Sequence, residues 1–137
     1  MGGAIFKLNF ISNLINTMTS RAEIEQIWNT ITGIEDFHSI LEKSENKPQL
    51  IYKHSPSCGV SFMAKQELDS SLEELSKRAD LYIIDVIQDR PVSNVVAKEL
   101  GIRHESPQVI LLVEKKVNWD GSHWQVKVEE LLSVLQE

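Results

Sequence analysis

Apolar positions along the chain switch repeatedly between a spacing of three to four residues and short continuous runs, and each switch marks an element. Residues 27–31 are short, aromatic and β-branched, and predict a strand. Thr32 and Glu35 have the spacing of a capping box, and Ile34, Phe37, Ile40 and Leu41 follow at helical spacing until Asn46-Lys47-Pro48. Residues 50–54 predict a strand that Ser55-Pro56-Ser57 breaks. One long helix is expected over 58–79, with Ala64, Leu68, Leu72 and Leu75 as its apolar stripe and Glu67, Glu73, Glu74, Lys77 and Arg78 facing water. Residues 81–86 form an almost unbroken apolar run, suited to a buried central strand. Pro91 opens a helix carrying Val92, Val95, Val96 and Leu100, which Gly101 closes. A strand over 108–113, a turn at Glu114-Lys115 and a strand over 116–119 follow. Asp120-Gly121-Ser122 reads as a loop, and a last helix carries Val128, Leu131, Leu132 and Leu135.

Strands alternating with helices indicate an α/β fold with a central sheet covered on both faces, and the hairpin near the end makes that sheet mixed. The first residues are apolar at Ile5, Phe6, Leu8, Phe10, Ile11, Leu14 and Ile15 but are interrupted by Asn9, Asn13 and Asn16, with one lysine and no basic leader. Residues 1–20 are therefore expected to be an extension ahead of a single domain over 21–137.

Charge narrows the partners. A net charge of -6 and a pI near 5.2 leave no basic face for nucleic acid phosphates or an anionic membrane surface. A single cysteine rules out an internal disulfide, so a reducing cytoplasm is the expected compartment.

That cysteine is the candidate for chemistry. Cys58 follows a strand and opens a helix, where free N–H groups and the helix dipole favour a thiolate. Pro56 and Gly59 flank it, and Ser61 lies one turn on, with a hydroxyl that can hydrogen-bond the sulfur. His54, as an imidazolium near the thiol, would lower its pKa further. Ser106-Pro107 precedes the strand over 108–113; a cis bond there would hold the Ser106 backbone beside the thiol as a docking edge for an extended ligand. Lys53 and Arg103 are candidates for holding a ligand carboxylate. Ser122 is expected to cap the last helix while Trp124 closes over the core; alternatively Ser122-His123-Trp124 lines the ligand pocket. His54, His104 and His123 have no zinc-type spacing with Cys58, so no metal is expected.

Together these stretches resemble the thioredoxin superfamily. Cys-Gly-Val-Ser at 58–61 resembles the Cys-Gly-Phe-Ser of monothiol glutaredoxins. A closer similarity is to the monothiol bacilliredoxins of the bacillithiol redox system, carried by Lys53-His54-Ser55, Cys58 and Ser122-His123-Trp124. The resemblance covers residues 27–137. It implies a thioredoxin-like fold, Cys58 as nucleophile, bacillithiol as co-substrate with no tightly bound cofactor, and thiol-modified proteins as partners. Two departures matter. Ser61 stands where thioredoxins carry the resolving cysteine, and Tyr52 where they carry a buried acid. The Gly-Gly-x-Asp-type thiol-binding signature of glutaredoxins is also absent.

The expected activity is removal of a small thiol from mixed disulfides on proteins. One alternative is a monothiol glutaredoxin-like iron–sulfur carrier, which would be coloured after anaerobic purification. The other is a non-catalytic thioredoxin-fold binding or stress protein, in which Cys58 would alkylate no faster than a free thiol.

Overall fold

The computed structural model describes residues 21–136. The expected extension over 1–20 lies outside the described residues.

After a helical stretch at 21–27, the chain forms β1 (Asn29–Thr30), α1 (Ile34–Lys43), β2 (Gln49–His54), α2 (Gly59–Asp69), α3 (Leu72–Arg78), β3 (Asp80–Asp85), α4 (Arg90–Leu100), β4 (Gln108–Val113), β5 (Lys116–Ser122), a 3-10 turn (His123–Gln125) and α5 (Val128–Val134). The five strands make one mixed sheet in the order β1-β3-β2-β4-β5. β1 and β2 run parallel to β3, while β4 runs antiparallel to both β2 and β5.

The central strands are apolar at nearly every position because both faces are covered. On one face Leu50, Tyr52, Leu81, Val109 and Leu111 pack with Ala64 and Leu68 of α2, Leu72 and Leu75 of α3, and Val128 and Leu131 of α5. On the other, Ile51, Tyr82, Ile84, Ile110 and Leu112 meet Phe37 and Ile40 of α1 and Val92 and Val96 of α4. Alternate residues of β2 therefore serve opposite cores.

Three local expectations are corrected. The long helix over 58–79 is two helices. Ser70 turns its hydroxyl onto the Glu67 carbonyl (2.6 Å), Ser71 leaves helical geometry at φ -133°, and α3 restarts from it. The stripe survives the break, since Ala64, Leu68, Leu72 and Leu75 are all buried. The start of α1 shifts by one residue: Asp36, not Glu35, accepts the N–H groups of Thr32 (3.1 Å) and Gly33 (3.2 Å). Asp120-Gly121-Ser122 is part of β5 rather than a loop. Gly121 pairs with Val109, and its bare Cα lets the Trp119 ring lie across the strand, where an added Cβ would come within 2.4 Å of the ring.

Other punctuation falls where expected. Pro91 lies in the first turn of α4, and Gly101 ends that helix at φ 66°. Glu114 and Lys115 both take positive φ, the two-residue hairpin geometry between β4 and β5.

Candidate functional site

Cys58 is the N-cap residue of α2, in extended geometry, and is partly exposed. The turn leading to it is closed by the Cys58 N–H on the Ser55 carbonyl (3.1 Å), and the helix begins with the Phe62 N–H on the Cys58 carbonyl (3.0 Å). The sulfur makes no cap hydrogen bond of full geometry. The backbone N–H of Ser61 above all, and then that of Val60, nonetheless favour negative charge on it and hold its pKa below the usual thiol value.

Ser61 has a larger part than donor to the thiolate. It is fully buried, and its hydroxyl accepts the Ser55 N–H (3.2 Å). Its carbonyl accepts the hydroxyl of buried Tyr52 (2.8 Å). The hydroxyl's own effect on the thiol is smaller than that of the backbone donors. Ser61 thus ties the loop over 55–58 to α2. Replacing it by alanine removes that tie and one donor, so alkylation of Cys58 by iodoacetamide at pH 7 should slow on the order of threefold. An unchanged rate-against-pH curve would mean the hydroxyl has no influence on the thiol.

Tyr52 stands where the resemblance places a buried acid. Its single proton goes to the Ser61 carbonyl, so the contact at 3.1 Å with His54 Nδ1 requires Nδ1–H to donate to the phenol oxygen. Burial pushes the Tyr52 pKa up, and the group stays a neutral phenol. Burial, then Lys65, lowers the pKa of His54. His54 is therefore neutral, and the expectation that an imidazolium activates the thiol is not met; the backbone of α2 does that work.

Lys53 is corrected most sharply. It shows 0% exposure, on the opposite face of the sheet from Tyr52 and His54, and cannot hold a ligand carboxylate. Its ammonium donates to the Ser93 carbonyl (2.9 Å) and to His104 Nδ1 (3.1 Å). Burial lowers its pKa to about 8 from 10.5. In that window the unfolded chain holds more protons than the folded one, so stability rises with pH, and the cost of the buried ammonium is fully present below it. Relative to a Lys53→Met variant, wild-type stability in urea should gain about 2 kcal/mol between pH 8 and 10.5, after screening through half-buried His104 is allowed for. A flat difference would show that the ammonium is not desolvated.

The second half of the site is built from β4 and β5. The Ser106–Pro107 peptide is cis, and Pro107 is buried at the start of β4. Lys53 pairs with Gln108, so the end of β2 that leads to Cys58 and the start of β4 lie at the same end of the sheet. Ser122 pairs with Gln108, and the next residue, His123, donates its N–H to the Pro107 carbonyl (3.0 Å). Glu105 braces the same corner, reaching His123 Nε2 (3.2 Å) and Arg103 Nε (3.2 Å). The 3-10 turn over His123–Gln125 packs against α2, the helix that Cys58 opens.

Two expectations for this turn fail. Ser122 does not cap the last helix; its N–H meets Gln125 Oε1 (3.0 Å) within the 3-10 turn. The first N–H of α5, on Val128, is taken instead by Glu67 of α2 (3.1 Å). Trp124 does not close over the core but is 63% exposed. Arg103 is exposed, with its guanidinium partly engaged by Glu105. Among the described residues no cluster of histidine, cysteine and carboxylates has metal-site geometry, and no helix is long and apolar enough to cross a membrane.

A sheet in this order, with its one thiol at the mouth of the helix after β2, defines the thioredoxin-fold thiol–disulfide redox proteins. Solved structures agree on the fold. A candidate oxidoreductase with a thioredoxin fold superposes with a TM-score of 0.72 at 28% identity, covering 81% of this chain and 96% of its own. Thioredoxin f from spinach chloroplast gives 0.59 at 23% identity over 84% and 91%. Fasciola hepatica thioredoxin gives 0.61 at 11% over 78% and 95%. Within that class the chain belongs to the monothiol bacilliredoxin family, whose model, Monothiol bacilliredoxin BrxC, matches residues 29–131.

Proposed function

We propose that this protein strips bacillithiol from mixed disulfides on other proteins. The Cys58 thiolate attacks the bacillithiol sulfur of the mixed disulfide. The bond to the substrate sulfur breaks, and the substrate leaves as a thiolate that takes up a proton. Cys58 now carries the small thiol. A second bacillithiol thiolate attacks that sulfur, releasing oxidised bacillithiol and restoring Cys58.

The observation that carries this reading is Ser61 in the resolving position beside a thiol of lowered pKa. A thiolate is available to attack, and no second thiol exists to expel what it captures. The Ser106–Pro107 backbone is the proposed docking edge for the substrate chain, and Ser122, His123 and Trp124 the proposed wall for the small thiol. The family supports bacillithiol over glutathione.

Mass spectrometry of Cys58 after incubation with oxidised bacillithiol, and separately with oxidised glutathione, tests it. A bacillithiol adduct forming faster than the glutathione adduct is expected. A Cys58 that forms neither adduct, and that alkylates at mildly acidic pH no faster than a free thiol, overturns the reading.

A further inference from the structure

Among the described residues Lys53 is the only fully buried charged side chain, and it forms no ion pair with a carboxylate. An ammonium in a core is costly, and an apolar side chain of similar length would fill the space at less cost. What it gains there is two hydrogen bonds, one to the helix that precedes the stretch of chain leading to Ser106–Pro107 and one to that stretch itself. Ser93 lies in α4, whose end at Gly101 starts that stretch. His104 lies within it, two residues before Ser106, and the Ser93 hydroxyl also reaches His104 Nδ1 (3.3 Å). Lys53 itself is the residue of β2 paired with Gln108, on the strand that runs on to Cys58. Since Nδ1 accepts from an ammonium, His104 is neutral with its proton on Nε2. The other ties on this stretch run from Gln108 Nε2 to the Arg103 carbonyl (3.0 Å) and from the Glu105 N–H to Gln108 Oε1 (3.4 Å), both within reach of β4, from the Glu105 carboxylate to His123 Nε2 (3.2 Å), and from the Ile102 N–H to the Ala97 carbonyl of α4 (3.1 Å); Lys53 adds the one side-chain tie from β2.

We propose that Lys53 is a positioning residue for disulfide exchange: from inside the core its ammonium pins His104 to α4 and β2, and so fixes the segment that presents the Ser106–Pro107 backbone. This rests on Ser106–Pro107 being the docking edge. Lys53 acts on where the substrate lies and leaves the thiol alone, because the donors that activate Cys58 are on α2.

The test compares two reactions of each variant. Iodoacetamide alkylation needs no docking, whereas exchange with a peptide carrying a bacillithiol mixed disulfide does. In Lys53→Met and in His104→Ala, exchange is expected to slow about tenfold through KM, with alkylation within about twofold of wild type. His104→Asn, whose side-chain oxygen can accept in place of Nδ1, should recover most of the loss. The double variant Lys53→Met/His104→Ala should be no slower than either single one. Wild-type exchange in both single variants, an equal fall in alkylation, or losses that multiply would each overturn the proposal. His104 is half-buried, so its variants carry the test should Lys53→Met fail to fold. Should wild type show no exchange with any mixed disulfide, the docking reading fails separately. The pinning is then read from amide hydrogen exchange in His104→Ala. Faster exchange at Glu105 and His123 with β2 and β3 unchanged supports it, and an unchanged pattern overturns it.

Discussion

Replacing Cys58 by serine should abolish exchange with every mixed disulfide while leaving the fold as stable as before or slightly more so. A hydroxyl is not ionised at neutral pH and forms no bond to sulfur of use here, so the loss is at least ~10³-fold and limited by assay background. The chain offers no substitute, since the sequence holds one cysteine. Stability moves the other way for a local reason. Position 58 is a helix N-cap in extended geometry with the N–H groups of Val60 and Ser61 facing it. Serine is among the best residues for that place, with a gain of about 0.5–1 kcal/mol. Parallel urea denaturation and mass-spectrometric exchange assays check both halves. Residual exchange would locate chemistry away from the thiol, and a loss of stability would show that the sulfur is packed rather than presented.

The second large effect is a gain. Changing Ser61 to cysteine places a thiol one helical turn from the nucleophile, in the position where a captured adduct can be attacked from within the molecule. An internal thiol competes at an effective concentration well above that of thiol in solution, so release from Cys58 should speed up at least ~10-fold. The small-thiol adduct on Cys58 should cease to accumulate, and the variant should reduce protein disulfides when supplied with a reductant. The substitution weakens the tie from the Ser55 N–H to the residue 61 side chain, so some slowing of the first attack is expected beside the gain. A persistent adduct would show that the side chain at 61, buried in the helix, cannot swing to the sulfur.

The periodic pattern carried most of the architecture. Strands β2, β3 and β4 lie within a residue of their expected places because continuous apolar runs have few other uses in a chain of this size. Two kinds of feature escaped. Helix breaks driven by side chains, as at Ser70 and Ser71, look in sequence like an ordinary polar stripe, since the apolar spacing continues across them. Pairings over long separations, such as Glu67 with Val128 or Glu105 with His123, leave no local mark. The misplacement of Lys53 was avoidable. Neighbours in a strand point to opposite faces, so Lys53 and His54 could not both face the thiol. The thiol's place at a helix start was legible from the Pro, Ser and Gly around it. That its activation comes from backbone donors rather than from His54 was not, because it depends on the burial of His54 and on the charge of Lys65 near it, which only the packed fold brings about.

Ser61 in place of a second thiol also changes the arithmetic of the redox poise. A dithiol that closes on itself consumes one small disulfide and releases two small thiols, so its oxidised fraction depends on the square of the thiol concentration. In the proposed exchange Cys58 takes up one half of a small disulfide and releases one thiol, and the concentration enters numerator and denominator to the same power. Its loaded fraction should therefore track the ratio of oxidised to reduced small thiol, and stay constant when the total pool grows or shrinks at fixed ratio.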